Sequence, residues 1–128
     1  MALKDPDFVQ CNIVAASYLS NTFGSSTDTP TWLSCDGVKN VKFQLSAIVL
    51  GTATEVRVTP IFRSKDETIT IPYDSDGTPV YWGLSAINRE TPCFPVGGAY
   101  EVSCELWTDV AAGVTGAATA QAQRELYK

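Results

Sequence analysis

The sequence predicts an all-β protein, an antiparallel β-sandwich of the jelly-roll or immunoglobulin-like kind with about seven to eight strands. Short runs of alternating apolar and polar residues recur along the chain, which is the pattern of half-buried strands. Gly, Pro, Asp and Ser separate these runs at the spacing expected of turns. The 128 residues include no histidine, so the commonest general base and neutral metal ligand is missing. The last observation argues against an enzyme.

The first half of the chain begins with an imperfectly alternating run. Phe8 to Tyr18 is predicted as the first strand, and the long polar connection from Leu19 to Asn40 carries one short strand around Trp32. Val41 to Leu50 has the clearest alternation of the chain. The side chains predicted on its apolar face are Val41, Phe43, Leu45, Ala47 and Val49.

A hairpin is predicted directly after this strand. Gly51 and Thr52 fit a tight turn because glycine tolerates a positive φ, and Glu55 to Phe62 is the return strand. Pro60 cannot donate a ladder hydrogen bond. It therefore places the return strand at a sheet edge or at a bulge.

The second half supplies three more strands, over Thr68–Tyr73, Pro79–Ile87 and Ala99–Thr108. Residues 74–77, with the sequence Asp-Ser-Asp-Gly, predict a turn. They also resemble the start of a calcium loop, but no glutamate follows at the required distance, so a turn without metal is favoured. The residues predicted to face inward on the last strand are Tyr100, Val102, Cys104 and Leu106. Strand order stays open.

The tail differs in composition from the rest of the chain. Asp109 to Gln123 is rich in Ala, Gly, Thr and Val and almost uncharged. The predicted division is a β-sandwich domain over residues 1–109 and a C-terminal strand or pliable arm over 110–128. A short helix over Ala117–Lys128 is the alternative. With an arm, a chain cut after Asp109 is expected to fold.

Charge and cysteine content exclude several classes of function. The net charge is −5 and the lysines and arginines are scattered, so neither nucleic acid nor an anionic membrane is an expected partner. The start of the chain does not have the pattern of a signal peptide, which predicts synthesis in the cytosol. The spacing of Cys11, Cys35, Cys93 and Cys104 disfavours zinc. Free thiols are favoured, with a Cys11–Cys104 cross-strand bridge as the alternative, and no cofactor is expected.

Aromatic side chains are the main candidates for a contact surface. On the predicted strands Trp107 and Tyr81 point outward, and Trp32 interrupts the long connection. Outward aromatic residues on a small domain often mark a contact surface. Three interpretations stay open: cover for the core under the long connection, a protein interface, or a platform for carbohydrate.

The strand series Val41–Leu50, Glu55–Phe62, Thr68–Tyr73, Pro79–Ile87 and Ala99–Thr108, followed by the Ala/Gly/Thr tail, resembles small auxiliary structural proteins of tailed bacteriophages. These include capsid decoration (cement) proteins and head or neck components. The resemblance lies in the general composition and arrangement of strand and turn segments along most of the chain, and it includes no diagnostic motif.

This resemblance implies a non-enzymatic virion structural protein that binds the capsid surface and stabilises it. Such a protein assembles in the host bacterial cytoplasm, and its partners are copies of itself, often as a trimer, and a major capsid or other virion protein. Another phage neck or tail component, or a carbohydrate-binding β-sandwich, is the alternative. The candidate interface residues are Phe8, Trp32, Tyr81, Trp107, Val110, Val114, Leu126 and Tyr127.

Overall fold

The computed structural model describes residues 11–16, 23, 30–50, 53–109 and 117–126. These residues form nine strands and no helix, and all strand pairs are antiparallel. The all-β, antiparallel, sandwich-like class is therefore confirmed. The strands are β1 (Cys11–Ala16), β2 (Leu33–Ser34), β3 (Val38–Val49), β4 (Val56–Arg63), β5 (Ile69–Thr70), β6 (Trp82–Leu84), β7 (Phe94–Pro95), β8 (Glu101–Thr108) and β9 (Ala117–Leu126).

Two sheets enclose one hydrophobic core. The four-stranded sheet has the order β1-β9-β3-β7. The five-stranded sheet has the order β2-β8-β4-β5, and β6 also pairs with β4. The two long central pairs, β3–β9 and β4–β8, supply most of the core. Within the described ranges, no helix is long and apolar enough to cross a membrane.

The predicted hairpin between β3 and β4 is wrong. β3 pairs with β9 and β7, whereas β4 pairs with β8, β5 and β6, so the chain passes from one sheet to the other between them. Gly51 and Thr52 lie outside the described residues. Alternation locates a strand and its apolar face, but it carries no information about the partner strand, and this explains the error.

Pro60 lies at a break in the pairing of β4. On one side it is opposite Cys104 of β8. On the other side, β6 pairs with β4 as far as Val58, and β5 pairs with it from Phe62 onward. Among the described residues, no strand pairs with Pro60 on that side, so the missing donor falls at a local sheet edge.

A β-bulge changes which residues of β3 face the core. The first three apolar side chains are buried as predicted: Val41, Phe43 and Leu45. The register with β9 then shifts between Leu45 and Ala47, which reverses the alternation. Ile48 packs against the core, Ala47 is exposed and Val49 is 55% exposed. The predicted inward positions of Ala47 and Val49 are therefore wrong.

β9 lies between β1 and β3 at the centre of its sheet. Its buried alanines oppose large residues of β3, with Ala122 opposite Phe43 and Ala120 opposite Leu45. The alternation Ala-Thr-Ala-Gln-Ala-Gln gives a strand with one small apolar face that accommodates these large side chains. Of the alternatives for the tail, residues 117–126 form a strand and not an arm or a helix. A cut after Asp109 would remove a central strand, so the expectation that such a chain folds is withdrawn.

Candidate functional site

Three of the predicted interface aromatics lie on the five-stranded sheet, on the side away from the core. Trp107 is on β8 and pairs with Arg57 of β4, Tyr81 directly precedes β6, and Trp32 directly precedes β2. We call this side of the sheet the outer face. Of Leu126 only the backbone is described, paired with Val38. The other predicted interface residues lie outside the described residues: Phe8, Val110, Val114 and Tyr127.

Trp107 anchors the covering of the outer face. It is only 5% exposed, and its indole Nε1 donates a hydrogen bond to Thr59 Oγ1 at 2.9 Å. Tyr81 and Phe23 meet its ring edge-to-face, with centroids 5.4 and 6.0 Å away. Phe23 belongs to the long connection, so at least this residue of the connection packs on Trp107.

Arg57 packs against two rings of the same cluster. Its guanidinium lies 4.4 Å from the centroid of Tyr81 and 4.9 Å from that of Trp107. Its Nε donates to Glu55 Oε2 at 2.7 Å. Cation–π attraction and the ion pair together hold the guanidinium on the aromatic rings.

Arg63 repeats this arrangement at the other end of the sheet. Its guanidinium lies 4.5 Å from the centroid of the Trp32 ring. Its Nε and one terminal nitrogen donate to Glu101 Oε1 at 2.8 and 2.6 Å, across the β4–β8 pair. Tyr81, Trp107 and Trp32 are thus each packed against a guanidinium, which reduces the ring surface free for stacking on another molecule.

An apolar surface lies at one end of the sandwich. β3 ends at Val49, and Leu84 at the end of β6 pairs with Val56 at the start of β4. The turn 85–88 follows, in which Ile87 is 97% exposed. β8 ends and β9 begins at the same end. We call this end of the sandwich, which carries the exposed side chains of Val49 and Ile87, the apolar end.

Two predicted interface residues belong to the sequence beside the apolar end. Val110 and Val114 fall between Asp109 and Ala117, and Ala117 pairs with Val49. Asp109 is fixed here because its carboxylate accepts hydrogen bonds from the N–H and the hydroxyl of Thr54. The hydroxyl bond contributes most to lowering the pKa of Asp109 below its usual range. The contacts of Val110 and Val114 stay a prediction.

A cleft of about 1010 Å³ opens at the opposite end of the sandwich. Three turns border it: residues 34–37, the β4–β5 turn from Arg63, and residues 95–100. The turn at 96–99 is closed by a hydrogen bond from Ala99 N–H to Val96 O at 3.1 Å, and Gly97 and Gly98 occupy its two positive-φ positions. The sequence analysis did not predict this cleft. Glycines before Ala99 indicated the turn, but only the tertiary fold places it opposite the other two.

Cys35, Cys93 and Cys104 are free thiols, which rules out the Cys11–Cys104 bridge. Cys35 and Cys104 are buried, as expected of thiols that act as small apolar residues, whereas Cys93 is exposed, so that expectation is wrong for Cys93. Desolvation by burial raises the pKa of Cys35 to about 11 and raises that of Cys104 further. Both thiols are therefore protonated at neutral pH and poor nucleophiles.

The predicted turn at residues 74–77 is confirmed. Asp74 Oδ1 accepts hydrogen bonds from the N–H groups of Asp76 and Thr78, at 2.9 and 3.0 Å. The carboxylate thus stabilises its own turn. In the part of the chain that the structure describes, no group of three or more acidic or cysteine side chains is placed to hold a metal ion.

Comparisons with known proteins give no family for the chain: no family model, curated protein or solved structure matches it. The functional argument therefore depends on surfaces. The outward side predicted for Trp107 and Tyr81 is the outer face, which Trp32 shares, and a role of the three in an interface stays a prediction. Sequence reasoning missed Arg57 and Arg63, because scattered arginines give no signal until pairing across strands places them on the rings.

Proposed function

We propose that this chain is a non-enzymatic virion structural protein that binds the capsid surface and stabilises it, as a decoration or cement protein does. Its proposed partners are further copies of itself, with a trimer as one candidate state, and a major capsid or other virion protein. The observation that carries the proposal is the apolar end. Ile87, at 97% exposed, and Val49, at 55%, place apolar surface at one end of a compact sandwich.

The apolar end has the chemistry of a protein contact. Fully burying a side chain of this size contributes about 1.5–3 kcal/mol, which favours a partner surface over water. The flanking sequence adds to it, because Val110 and Val114 belong to an uncharged stretch that starts beside this end. Depletion of charge at the centre is typical of stable interfaces.

The outer face supports a mechanical role. Two ion pairs lie on it, Arg57 with Glu55 and Arg63 with Glu101. Ion pairs of this kind, together with the rings packed on both guanidinium groups, stabilise the β4–β8 part of the sheet. A protein that clamps a shell needs this rigidity, because a soft body would lose binding energy to ordering.

Carbohydrate binding through the outward aromatics has less support. Trp107 is buried, and guanidinium groups pack on Tyr81 and Trp32. A sugar would have to displace Arg57 or Arg63 to reach the covered ring surface. The outer face is therefore better suited to stabilising the protein than to binding a glycan.

The experiment compares particle incorporation of two variants. Phage particles made from the genome that encodes this chain are purified, and the chain is quantified by mass spectrometry. We expect the wild-type chain at a fixed ratio to the major capsid protein. Ile87→Ser should reduce its occupancy at least about tenfold, since burial of the exposed side chain is lost.

Ile69→Ser is the matched control, because Ile69 is 52% exposed and lies on β5, away from the apolar end. We expect its occupancy to equal that of the wild type. Absence of the wild-type chain from purified particles would overturn the proposal. Equal occupancy of Ile87→Ser and wild type would overturn the assignment of the apolar end.

A further inference from the structure

We propose that the cleft at the end of the sandwich opposite the apolar end binds a saccharide, with Tyr100 as the stacking ring and Asp36 and Lys65 as its polar contacts. The inference is independent of the proposed function, since it uses different residues at a different end. It adds a ligand site to a protein whose other surfaces are explained by folding and by protein contact.

Tyr100 precedes β8 and is exposed, so its predicted inward position on the last strand is wrong, and it is the aromatic ring that the cleft leaves free. It lines the cleft and is 51% exposed, and no aromatic ring or cation of the described residues packs on it. Its backbone is held on both sides: its N–H donates to Arg63 O at 3.1 Å, and its carbonyl accepts from Cys35 N–H at 3.0 Å. The ring is therefore presented from a fixed point, which lowers the entropic cost of stacking on a ligand.

Asp36 and Lys65 supply unpaired charges to the same cleft. Both line it and both are exposed. Neither side chain has a hydrogen bond or ion pair within the described residues, although the other lining cation, Arg63, is bound to Glu101. A carboxylate accepts hydrogen bonds from hydroxyl groups and an ammonium group donates to their oxygens. Together they match a ligand whose hydroxyls both donate and accept.

The glycines of the cleft leave room for close approach. Gly37, Gly97 and Gly98 line it with positive φ, and an added Cβ at any of them would meet no atom within 4 Å. The missing side chains thus leave space for a ligand to approach the backbone at the mouth of the cleft. A volume of about 1010 Å³ is at the upper end of the range for small-molecule sites.

A saccharide fits this cleft better than an extended peptide. Peptides that bind β-proteins as an added strand need a free sheet edge. The cleft instead is lined mostly by turns, and the edge strands that reach it, β2, β5 and β7, are only two residues long each, so they offer little free edge to an added strand. Polar side chains around a free aromatic ring provide contacts for hydroxyls and for the apolar face of a sugar ring.

The test is a titration of the ¹⁵N-labelled full chain, followed by NMR, with maltotriose, chitotriose, lactose and galacturonic acid. The amides of Gly37, Gly97 and Gly98 report on the cleft directly. We expect at least one of these saccharides to shift these amides with saturation below roughly 10 mM. Tyr100→Ala should weaken that binding at least about tenfold, and Tyr100→Phe, which keeps the ring, should retain most of it.

Tyr73→Ala is the matched control, because Tyr73 is 56% exposed but does not line the cleft. It should bind as the wild type does. The absence of shifts with all four saccharides overturns the inference, as does unchanged binding by Tyr100→Ala. A peptide with the sequence of residues 1–10 is titrated in parallel. If it alone shifts the glycine amides, the cleft is a protein-binding site and the saccharide assignment is wrong.

Discussion

The two faces of the β4–β8 pair are both largely buried, but by different means. The inner face is apolar, with Val58 opposite Leu106 in the core. The outer face buries polar groups, with Thr59 bonded to the indole of Trp107 and Arg57 packed on its ring. An inner position can therefore be judged by volume alone, whereas an outer position is stable only where each polar atom has a partner.

The largest effect is expected on the inner face. Leu106→Ala leaves a cavity in the core, because Leu106 is buried against the opposite sheet. We expect the free energy of unfolding to fall by about 2–5 kcal/mol. Urea denaturation followed by circular dichroism measures it. If Leu106→Ala lowers the free energy of unfolding by less than Trp107→Phe does, the expected ranking of the two faces is wrong.

Trp107→Phe tests how much the outer face depends on the pairing of its buried polar groups. The ring is largely kept, but Thr59 Oγ1 loses the indole donor while Thr59 itself is fully buried. We expect a loss of about 1–3 kcal/mol, mostly from desolvating an unpaired hydroxyl. Thr59→Val in the Trp107→Phe background should recover part of it. If Thr59→Val makes that background less stable still, the hydrogen bond is not the main contribution.

Ser103 is the exception on the outer face, and its replacement should stabilise the protein. It is fully buried on β8 opposite Ile61, and its hydroxyl has no hydrogen-bond partner among the residues that the structure describes. Ser103→Ala removes the unpaired group with little change of shape, so we expect a gain of about 1 kcal/mol. Thermal unfolding measures it, and a lower melting temperature would show that the hydroxyl is bonded in solution.

Gly83→Ala tests the contribution of the Arg57–Glu55 ion pair to stability. A Cβ at Gly83 would overlap the Glu55 carboxylate and push it away from Arg57. We expect a coupling of about 0.5–1 kcal/mol in a double-mutant cycle with Glu55→Ala, so that the alanine is tolerated better once Glu55 is shortened. Additive effects of the two substitutions would contradict this explanation.

The smallest expected effect is the contribution of Asp109 to the loss of stability at low pH. Hydrogen bonds from Thr54 hold the pKa of Asp109 in the folded protein below its value in the unfolded chain, which is about 4. The carboxylate therefore stabilises the fold at pH values above about 4. This stabilisation is lost as the pH falls through the lower pKa of the folded protein. Asp109→Asn should therefore lose less stability than the wild type between roughly pH 6 and pH 2. Parallel urea midpoints for both proteins would contradict this.

The sequence predicted strands and faces where alternation was strong and side chains were large. Val41, Phe43 and Leu45 are examples, and so is the turn at residues 74–77. It did not predict the bulge after Leu45, which follows from register with β9. For β9 the sequence left a strand, an arm and a helix open, because alanine favours helices although the period of two fits a strand.

The candidate sites were less predictable than the fold. Aromatic residues could be assigned to an outer face from alternation, but the guanidinium groups on them arise from cross-strand pairing. Ile87 lies in a short turn whose exposure no local pattern indicates. The cleft brings together three turns that are far apart in the sequence. Each of these features depends on which strands are neighbours, and that information is absent from local periodicity.

Hydroxyl-radical footprinting of the chain, free and bound to capsid particles, tests the central claim most directly. We predict that labelling of Ile87 and Val49 falls strongly on binding, whereas labelling of Ile69 and Tyr73, which are as exposed in the free protein as Val49, does not change. Protection of Ile69 and Tyr73 with Ile87 still labelled would contradict the account.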